Sequence, residues 1–127
     1  MKKIINTDKA PAPIGPYNQA IQVGDTLYIS GQIPLNTTTG ELVEGNIKLE
    51  ADQCMKNLKA ILEEAEMTFE HVVKTSIFLK DMNQFTEVNE VYGSYFDMET
   101  APARETVEVA NLPKFVNVEI SMIAVKS

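Results

Sequence analysis

Tryptophan is absent from this sequence, and cysteine and histidine occur once each. A lone cysteine, Cys54, cannot form a disulfide within the chain, and together with His71 it is too small a set for a zinc site with the usual ligands. A nucleophilic thiol would need a histidine partner, but His71 lies in a different segment with no visible link to Cys54. We therefore expect no metal site, and we expect Cys54 to be a buried helix cysteine.

Long apolar runs, basic clusters and the common catalytic motifs are also missing. No segment approaches the roughly 18 apolar residues of a membrane span, and the two apolar residues after Lys2 and Lys3 make no signal-peptide core. There is no phosphate-binding glycine loop, Gly-x-Ser-x-Gly elbow or paired-cysteine motif. The formal net charge is −7, whereas nucleic-acid binding normally uses a Lys/Arg patch. We therefore expect a soluble cytoplasmic protein that binds neither membranes nor nucleic acid.

The length is that of one domain, and we treat residues 1–127 as a single unit. A chain of this size buries roughly two thirds of its unfolded surface, so it folds without disulfide or metal staples. Gly24-Asp25 suits a two-residue hairpin turn, and Asn46 is a plausible helix N-cap. Periodicity predicts strand 3–6, hairpin strands 19–23 and 26–30, loop 36–40, helix 51–65, strand 72–79, helix 85–96, and strands 104–109 and 116–125.

Each predicted helix leads into a strand, which indicates an α/β (α+β) fold with a mixed sheet and two helices on one face. Alternate residues of the last strand point to one face: Val116, Val118, Ile120, Met122 and Ala124. The opposite face is only half polar because it carries Phe115 and Ile123, and such faces often pack against another subunit. We therefore expect an oligomer. The aromatic stripe of the second helix, with Phe85, Tyr92 and Phe96, is expected to pack in the core.

Two charged residues lie where they could carry chemistry. Arg104 follows Pro102 at the start of a strand, and its planar guanidinium can hold a carboxylate through two hydrogen bonds. Glu119 lies mid-strand, where charges are uncommon, and a carboxylate in a partly dry cleft has a raised pKa that suits proton transfer near neutral pH. The alternatives are a solvated strand-end arginine and an exposed glutamate on a solvated sheet face.

Tyr17, Ser30 and Asn89 are weaker candidates when each is taken alone. Tyr17 follows Gly15-Pro16, so its ring lies on a stiff loop, and it also fits simple ring packing. Ser30 ends a hairpin strand, and Asn89 fits the exposed face of a helix.

These residues lie within four groups of motifs that resemble the RidA/YjgF family, in the family's order and over nearly the whole chain. The motifs are Ile14-Gly15-Pro16-Tyr17 with Gln19-Ala20; Ser30-Gly31-Gln32-Ile33-Pro34; Val73-Lys74-Thr75 with Lys80-Asp81-Met82, Phe85, Val88-Asn89 and Tyr92; and Pro102-Ala103-Arg104 with Val107-Glu108-Val109, Leu112-Pro113-Lys114 and Val118-Glu119-Ile120. The resemblance implies a chorismate-mutase-like subunit that forms homotrimers around a central β-barrel, with active-site clefts between neighbouring subunits.

The resemblance also implies a cofactor-free hydrolytic deaminase that converts reactive 2-imino and 2-enamino acids to 2-keto acids and ammonia. Arg104 matches the arginine that clamps the substrate carboxylate, and Glu119 matches the glutamate that activates water; we expect the two to face each other across a sheltered gap. The residues that would line the cleft or contact the ligand are Tyr17, Ser30, Asn89 and, through its backbone, Thr106.

The sequence departs from the family pattern at four positions. Glu105 stands where Ser or Thr is common, Thr106 where Cys is common, Phe115 where Asp is common and Ser121 where a second Glu is common. Strand alternation places Glu105 on the face opposite Arg104, so it need not neutralise the clamp. These changes bear on substrate range and activity rather than on the fold.

Two other functions compete with the deaminase. A non-catalytic, small-carboxylate-binding regulatory trimer would retain Arg104 while tolerating Glu105 and Phe115. An RNA-directed role, which some relatives have been associated with, is disfavoured by the net charge of −7 and the lack of a basic cluster.

Overall fold

The fold contains eight strands and two α-helices, and the computed structural model describes all residues from 1 to 127. In chain order the elements are β1 (Lys2–Ile5), β2 (Ala20–Val23), β3 (Thr26–Gln32), β4 (Leu35–Asn36), β5 (Glu41–Leu42), α1 (Ile47–Glu64), β6 (Val72–Leu79), α2 (Phe85–Gly93), β7 (Ala103–Glu108) and β8 (Val118–Val125). Short 3-10 turns precede β6, α2 and β8. Every predicted helix and strand is present; β6 has its predicted ends, and the other elements have shifted ends.

Six strands form one mixed sheet in the order β1-β2-β3-β8-β6-β7. The β6–β7 pair is parallel, and the other neighbouring pairs are antiparallel. The β2–β3 hairpin turns at Gly24-Asp25 as predicted, with Val23 opposite Thr26 and Gly24 in the left-handed region at φ 59°. The predicted α+β class with a mixed sheet is therefore confirmed.

Helix α1 packs its apolar stripe against the centre of the sheet, where it contacts β3 and β8. Its N-cap is Asn46, whose Oδ1 accepts a hydrogen bond from the Leu49 amide at 3.1 Å. The helix begins four residues before the predicted start because Ile47, although outside the clear periodic run, is buried beneath this first turn. Cys54 is fully buried in the helix, as predicted.

Helix α2 ends at Gly93, three residues before the predicted end at Phe96. Of its aromatic stripe, Tyr92 is buried and Phe96 packs against the core from beyond the helix end. Phe85 is 37% exposed, so the prediction that it packs in the core is wrong.

The sheet face away from the helices is open and carries a row of apolar side chains. The register places Ile4 opposite Ile21, Ile21 opposite Tyr28, and Tyr28 opposite Ile123, so the row crosses four strands. Ile4 is 54% exposed and Tyr28 is 50% exposed. This open face extends the half-apolar surface predicted from β8.

One small element was not predicted. β4 and β5 form a separate two-stranded hairpin on either side of residues 37–40, so the predicted loop 36–40 is present but is enclosed by two short strands. The buried Asn57 of α1 fixes the chain that leads into it, because Nδ2 donates to Ile33 O and to Leu35 O, both at 3.0 Å. No helix in the structure is long and apolar enough to cross a membrane.

Candidate active site

Arg104, the only arginine of the sequence, lies on the helix-covered side of the sheet. It pairs in register with Thr75 of β6, which is fully buried. Its Nη1 donates a 2.7 Å hydrogen bond to Asn89 Oδ1. The guanidinium carbon lies 5.0 Å from the Tyr92 ring centroid and 5.6 Å from that of Phe85, close enough for cation–π attraction. No carboxylate forms an ion pair with Arg104.

Tyr92, whose ring lies against the Arg104 guanidinium, is itself held in place by a hydrogen bond. The Tyr92 hydroxyl donates to Thr75 Oγ1 at 2.9 Å, and burial raises the pKa of this tyrosine. Tyr92 therefore stays neutral and holds its ring in one orientation under the guanidinium. The arrangement leaves part of the planar fork free to bind an anion in an adjoining cavity of about 240 Å³.

Glu119 lies on the opposite side of the sheet, towards the open face. In β8 it is flanked by the buried Val118 and Ile120, and it pairs in register with Phe78 of β6. Burial raises the pKa of the Glu119 carboxyl, and no hydrogen bond or ion pair offsets this effect. A half-buried carboxylate without a partner is suited to accept a proton from a water or a ligand.

Gly31 makes room for Glu119. A Cβ built on Gly31 would lie 2.7 Å from the Glu119 carboxyl carbon, which is shorter than any ordinary contact. The φ of Gly31 is outside the left-handed region, so a side chain at position 31 would not strain the backbone; it would displace the Glu119 side chain. Both residues line a cavity of about 170 Å³ whose wall also includes Tyr17 and Lys114.

The weaker predicted residues divide between the two sides of the sheet. Tyr17 lies with Glu119, and its hydroxyl oxygen accepts a 3.3 Å hydrogen bond from the Ile14 amide, which folds the ring back on its own loop. Ser30 is next to Gly31, but its hydroxyl donates to Asn18 O at 2.7 Å. Thr106 follows Arg104 on the same face of β7, and its buried Oγ1 has no hydrogen-bond partner.

A single chain keeps Arg104 and Glu119 apart. The strand β6 separates them, because Thr75 pairs with Arg104 and Phe78 pairs with Glu119. Their backbones are thus roughly 10 Å apart along the strands and roughly 10 Å across them, with side chains on opposite faces. Within one subunit the two groups therefore do not face each other; the expectation that they meet across a gap between neighbouring subunits stays a prediction.

The unusual residue Glu105 points away from Arg104, as the strand alternation predicted. It accepts a hydrogen bond from Ser76 and forms an ion pair with Lys74 at 2.9 Å. These two contacts lower the pKa of the Glu105 carboxyl. Ser121 is opposite Ser76 on the same face, and Phe115 is 75% exposed in the left-handed region at φ 57°.

Cys54 is not placed for chemistry. Its Sγ is fully buried and lies 3.8 Å from Val118 O, and burial raises the pKa of the thiol well above its usual range. A thiol in this state is a poor nucleophile. Nowhere do three or more His, Cys, Asp or Glu side chains gather as a metal site would need.

Sequence reasoning did not identify Gly31 as a neighbour of Glu119, or Phe85 and Tyr92 as neighbours of Arg104. Gly31 was visible only as a member of a motif, because its steric role depends on the pairing of β3 with β8. The aromatic residues share one helix face with Val88, and that spacing is equally typical of core packing.

Comparisons with known proteins show the family to which the chain belongs. The family model described as Endoribonuclease L-PSP matches residues 7–126. A mouse protein named 2-iminobutanoate/2-iminopropanoate deaminase is 51% identical over 126 residues, which cover 99% of this chain and 93% of the mouse protein. The chain belongs to the RidA/YjgF/RutC family. Several other relatives have only the RutC family name.

Solved structures of RidA/YjgF/RutC proteins share the whole fold. The YjgF gene product of E. coli is 46% identical with a TM-score of 0.92, and the match covers 98% of this chain and 99% of that one. E. coli TdcF, solved with bound serine, is 42% identical with a TM-score of 0.92 and the same coverage. The resemblance drawn from the sequence motifs is therefore confirmed.

Proposed function

We propose that this protein is a hydrolytic deaminase of reactive 2-imino and 2-enamino acids. Water adds to the C=N carbon of the protonated imine, the resulting carbinolamine loses its nitrogen as ammonia, and a 2-keto acid remains. The bond to nitrogen breaks, a bond to the water oxygen forms, and no electrons are exchanged. The proposal rests chiefly on one observation: the only guanidinium of the chain lies in a cavity without a carboxylate partner.

Arg104 binds the substrate carboxylate in this proposal. Asn89 occupies one guanidinium nitrogen, and the rings of Tyr92 and Phe85 orient the plane. A charge-assisted pair of hydrogen bonds then fixes the carboxylate, and with it the position of the neighbouring imine carbon. Hydrogen bonds to charged groups are worth about 1.5–3 kcal/mol each, enough to dominate the binding of a small acid.

Glu119 handles the protons. Its pKa is raised by burial, so the carboxylate is a stronger base than an exposed glutamate. It accepts a proton from the attacking water and returns one to the departing nitrogen. General acid–base catalysis of this kind typically contributes about 10²–10⁴ in rate.

The complete site forms between copies of the chain. Arg104 and Glu119 occupy opposite sides of the sheet in one copy, so a ligand that meets both needs Arg104 from one copy and Glu119 from another. The apolar row from Ile4 to Ile123 on the open face is the surface on which copies pack. We propose a homotrimer in which these faces form a central β-barrel.

A non-catalytic carboxylate-binding trimer is the second candidate. Two observations favour it. Arg104 can bind an acid without help from Glu119, and the structure of the relative TdcF contains bound serine. An RNA-cleaving role, which the description of the family model names, fits less well because the chain has a net charge of −7 and 18 acidic residues against 11 basic ones.

An imine-release assay separates the two candidates. A dehydratase or an amino-acid oxidase generates 2-aminoacrylate or another imino acid, and the rate of keto-acid formation is followed with and without protein. We expect the wild type to accelerate release and Arg104→Ala to lose at least about 100-fold in kcat/KM, as the loss of a charge-assisted pair requires. Equal rates with and without protein would contradict the deaminase and leave the binding module.

The matched control for Arg104→Ala is Lys80→Ala. It removes the same charge from an exposed position outside both cavities. We expect this variant to retain wild-type activity. For the RNA candidate, a salt-sensitive shift of labelled RNA at low micromolar protein is the measurement, and its absence at low salt excludes that role.

A further inference from the structure

A third cavity lies where the first turn of α1 meets the segment that precedes β8. Its volume is about 390 Å³, which is larger than the cavity of Arg104 or that of Glu119. It shares no wall residue with the Arg104 cavity and only Lys114 with the Glu119 cavity. The proposed deaminase chemistry gives this space no role.

Glu50 is a buried carboxylate in the wall of this cavity, and it lacks a counter-charge. The residue is 3% exposed, and it forms no ion pair. Asn117 Nδ2 donates to its Oε1 at 2.9 Å. The other oxygen, Oε2, has no partner in the chain and is not sealed in the interior, so it opens to the cavity. Because a buried charge is costly unless it is paired, this oxygen is suited to a cationic donor that enters from the cavity.

The rest of the wall offers a positive charge and apolar surface. Lys114 forms no ion pair with a carboxylate of the chain. Phe115 is 75% exposed, and both residues lie in the left-handed region, at φ 55° and 57°, which bulky side chains seldom adopt. Leu42 and Val43 are half-buried in the same wall. One cavity therefore presents an unpaired carboxylate, an unpaired ammonium and an apolar surface.

We propose that this cavity binds a free α-amino acid with an apolar side chain. The amino acid's ammonium donates to Glu50 Oε2, its carboxylate pairs with Lys114, and its side chain packs against Phe115 and Leu42. A simple amine leaves Lys114 unpaired, and a simple carboxylic acid leaves Glu50 unpaired. The inference does not depend on the deaminase, because it concerns a separate site.

Three ligands that share one hydrocarbon chain test this assignment by isothermal titration calorimetry. Leucine has both charged groups, isocaproate lacks the ammonium, and isoamylamine lacks the carboxylate. We expect leucine to bind at least about tenfold more tightly than either single-charge ligand, because each of these gives up one charge-assisted contact. The side-chain amide signal of Asn117 in heteronuclear NMR spectra should shift when leucine binds, since this amide holds Glu50.

Two variants assign the two charges of the ligand. Glu50→Gln keeps an oxygen for Asn117 but removes the charge, so it should weaken leucine binding about tenfold or more and leave isocaproate binding unchanged. Lys114→Met should weaken leucine binding to a similar extent and leave isoamylamine binding unchanged. The matched control is Glu64→Gln, which makes the same change on the exposed surface of α1 and should bind leucine as the wild type does.

Arg104→Ala separates this site from the Arg104 cavity, and it should bind leucine with wild-type affinity. Three results would overturn the inference: no binding of leucine up to about 10 mM, unchanged leucine binding in a folded Glu50→Gln variant, or loss of leucine binding in Arg104→Ala. The melting curve of each variant shows whether it is folded. None of these measurements requires an imine substrate, so the deaminase assay stands or fails separately.

Discussion

Glu119 has a chemical environment that opposes stability and favours reactivity. It is half-buried beside Phe78 and Gly31, and it has no hydrogen-bond donor to compensate for the lost water. Its folded-state pKa is raised, so folding favours the protonated form. The unfavourable contribution is absent below the unfolded pKa and is fully present once the pH has risen through the folded pKa.

The variant Glu119→Gln should therefore be more stable than wild type at neutral pH. We expect its melting temperature to exceed that of wild type at pH 7, and the difference to shrink as the pH falls towards about 4.3, the pKa of an unperturbed glutamate. Thermal melts at several pH values measure this, and the same variant should lose at least about 100-fold in kcat. A lower melting temperature at pH 7 would mean that Glu119 has a stabilising partner.

Gly31→Ala tests whether that glycine positions the carboxylate. The new Cβ would be 2.7 Å from the Glu119 carboxyl carbon, so the Glu119 side chain must move away from its half-buried position beside residue 31. We expect kcat to fall about tenfold or more, and the acid limb of the kcat–pH profile to move to lower pH because the carboxylate regains water.

A partial rescue distinguishes positioning from general damage. In Gly31→Ala with Glu119→Asp, the shorter side chain relieves the clash, so the double variant should lose less activity than the two single losses combined. If the activity losses of the two single variants simply add in the double variant, or if the kcat–pH profile of Gly31→Ala does not move, Gly31 has a structural role only.

At the scale of elements, the helices and strands with a long, regular hydrophobic pattern were the ones that the sequence predicted well. Helix α1 and strand β6 have long, regular patterns, and β6 was predicted with its observed ends at Val72 and Leu79. Strands β4 and β5 have two residues each, too few for any alternation to be visible. Phe85 was misassigned because an aromatic that supports a guanidinium has the same helical spacing as one in the core.

Glu105 of β7 contacts Ser76 and Lys74 of β6. The contribution of these contacts to stability changes with pH in the opposite sense to that of Glu119. Ser76 and Lys74 lower the folded pKa of Glu105, so their contribution to stability is present above the unfolded pKa and is lost as the pH falls through the folded pKa. We expect Glu105→Gln to lower the melting temperature slightly at pH 7 and by less at a pH low enough to protonate the Glu105 carboxyl in the folded protein, with activity unchanged.

The control for this variant is Glu64→Gln, an exposed glutamate of α1 outside the chain's ion pairs. It should leave the melting temperature unchanged at both pH values. A comparable loss in Glu64→Gln would show that net charge, rather than the contact with Lys74, sets the effect.

At the scale of the whole molecule, the motifs singled out Arg104 and Glu119, but the strand register places the two residues apart. Residues 104 and 119 lie on strands that do not pair with each other, and only the common neighbour β6 reveals that they lie on opposite faces. Sequence spacing does not contain that information, because it depends on which residue of β6 each strand meets.

Mixing two inactive variants tests a site shared between copies. Arg104→Ala retains Glu119, and Glu119→Gln retains Arg104, so a mixed trimer contains some junctions with both groups intact. With random assembly of equal amounts, we expect about one quarter of wild-type activity, measured on co-expressed chains with different tags. The mass should be three times the 14.1 kDa of one chain. Mixed trimers without activity would contradict a shared site.

The opposite orientation of Arg104 and Glu119 has a consequence for how such a catalyst behaves when it is scarce. In the proposed trimer, one chain alone does not offer both groups to a ligand, so turnover per milligram would fall steeply once the protein is diluted below the dissociation constant of that trimer. Under that proposal, the concentration of the protein in the cell would itself control activity, by mass action and without any effector.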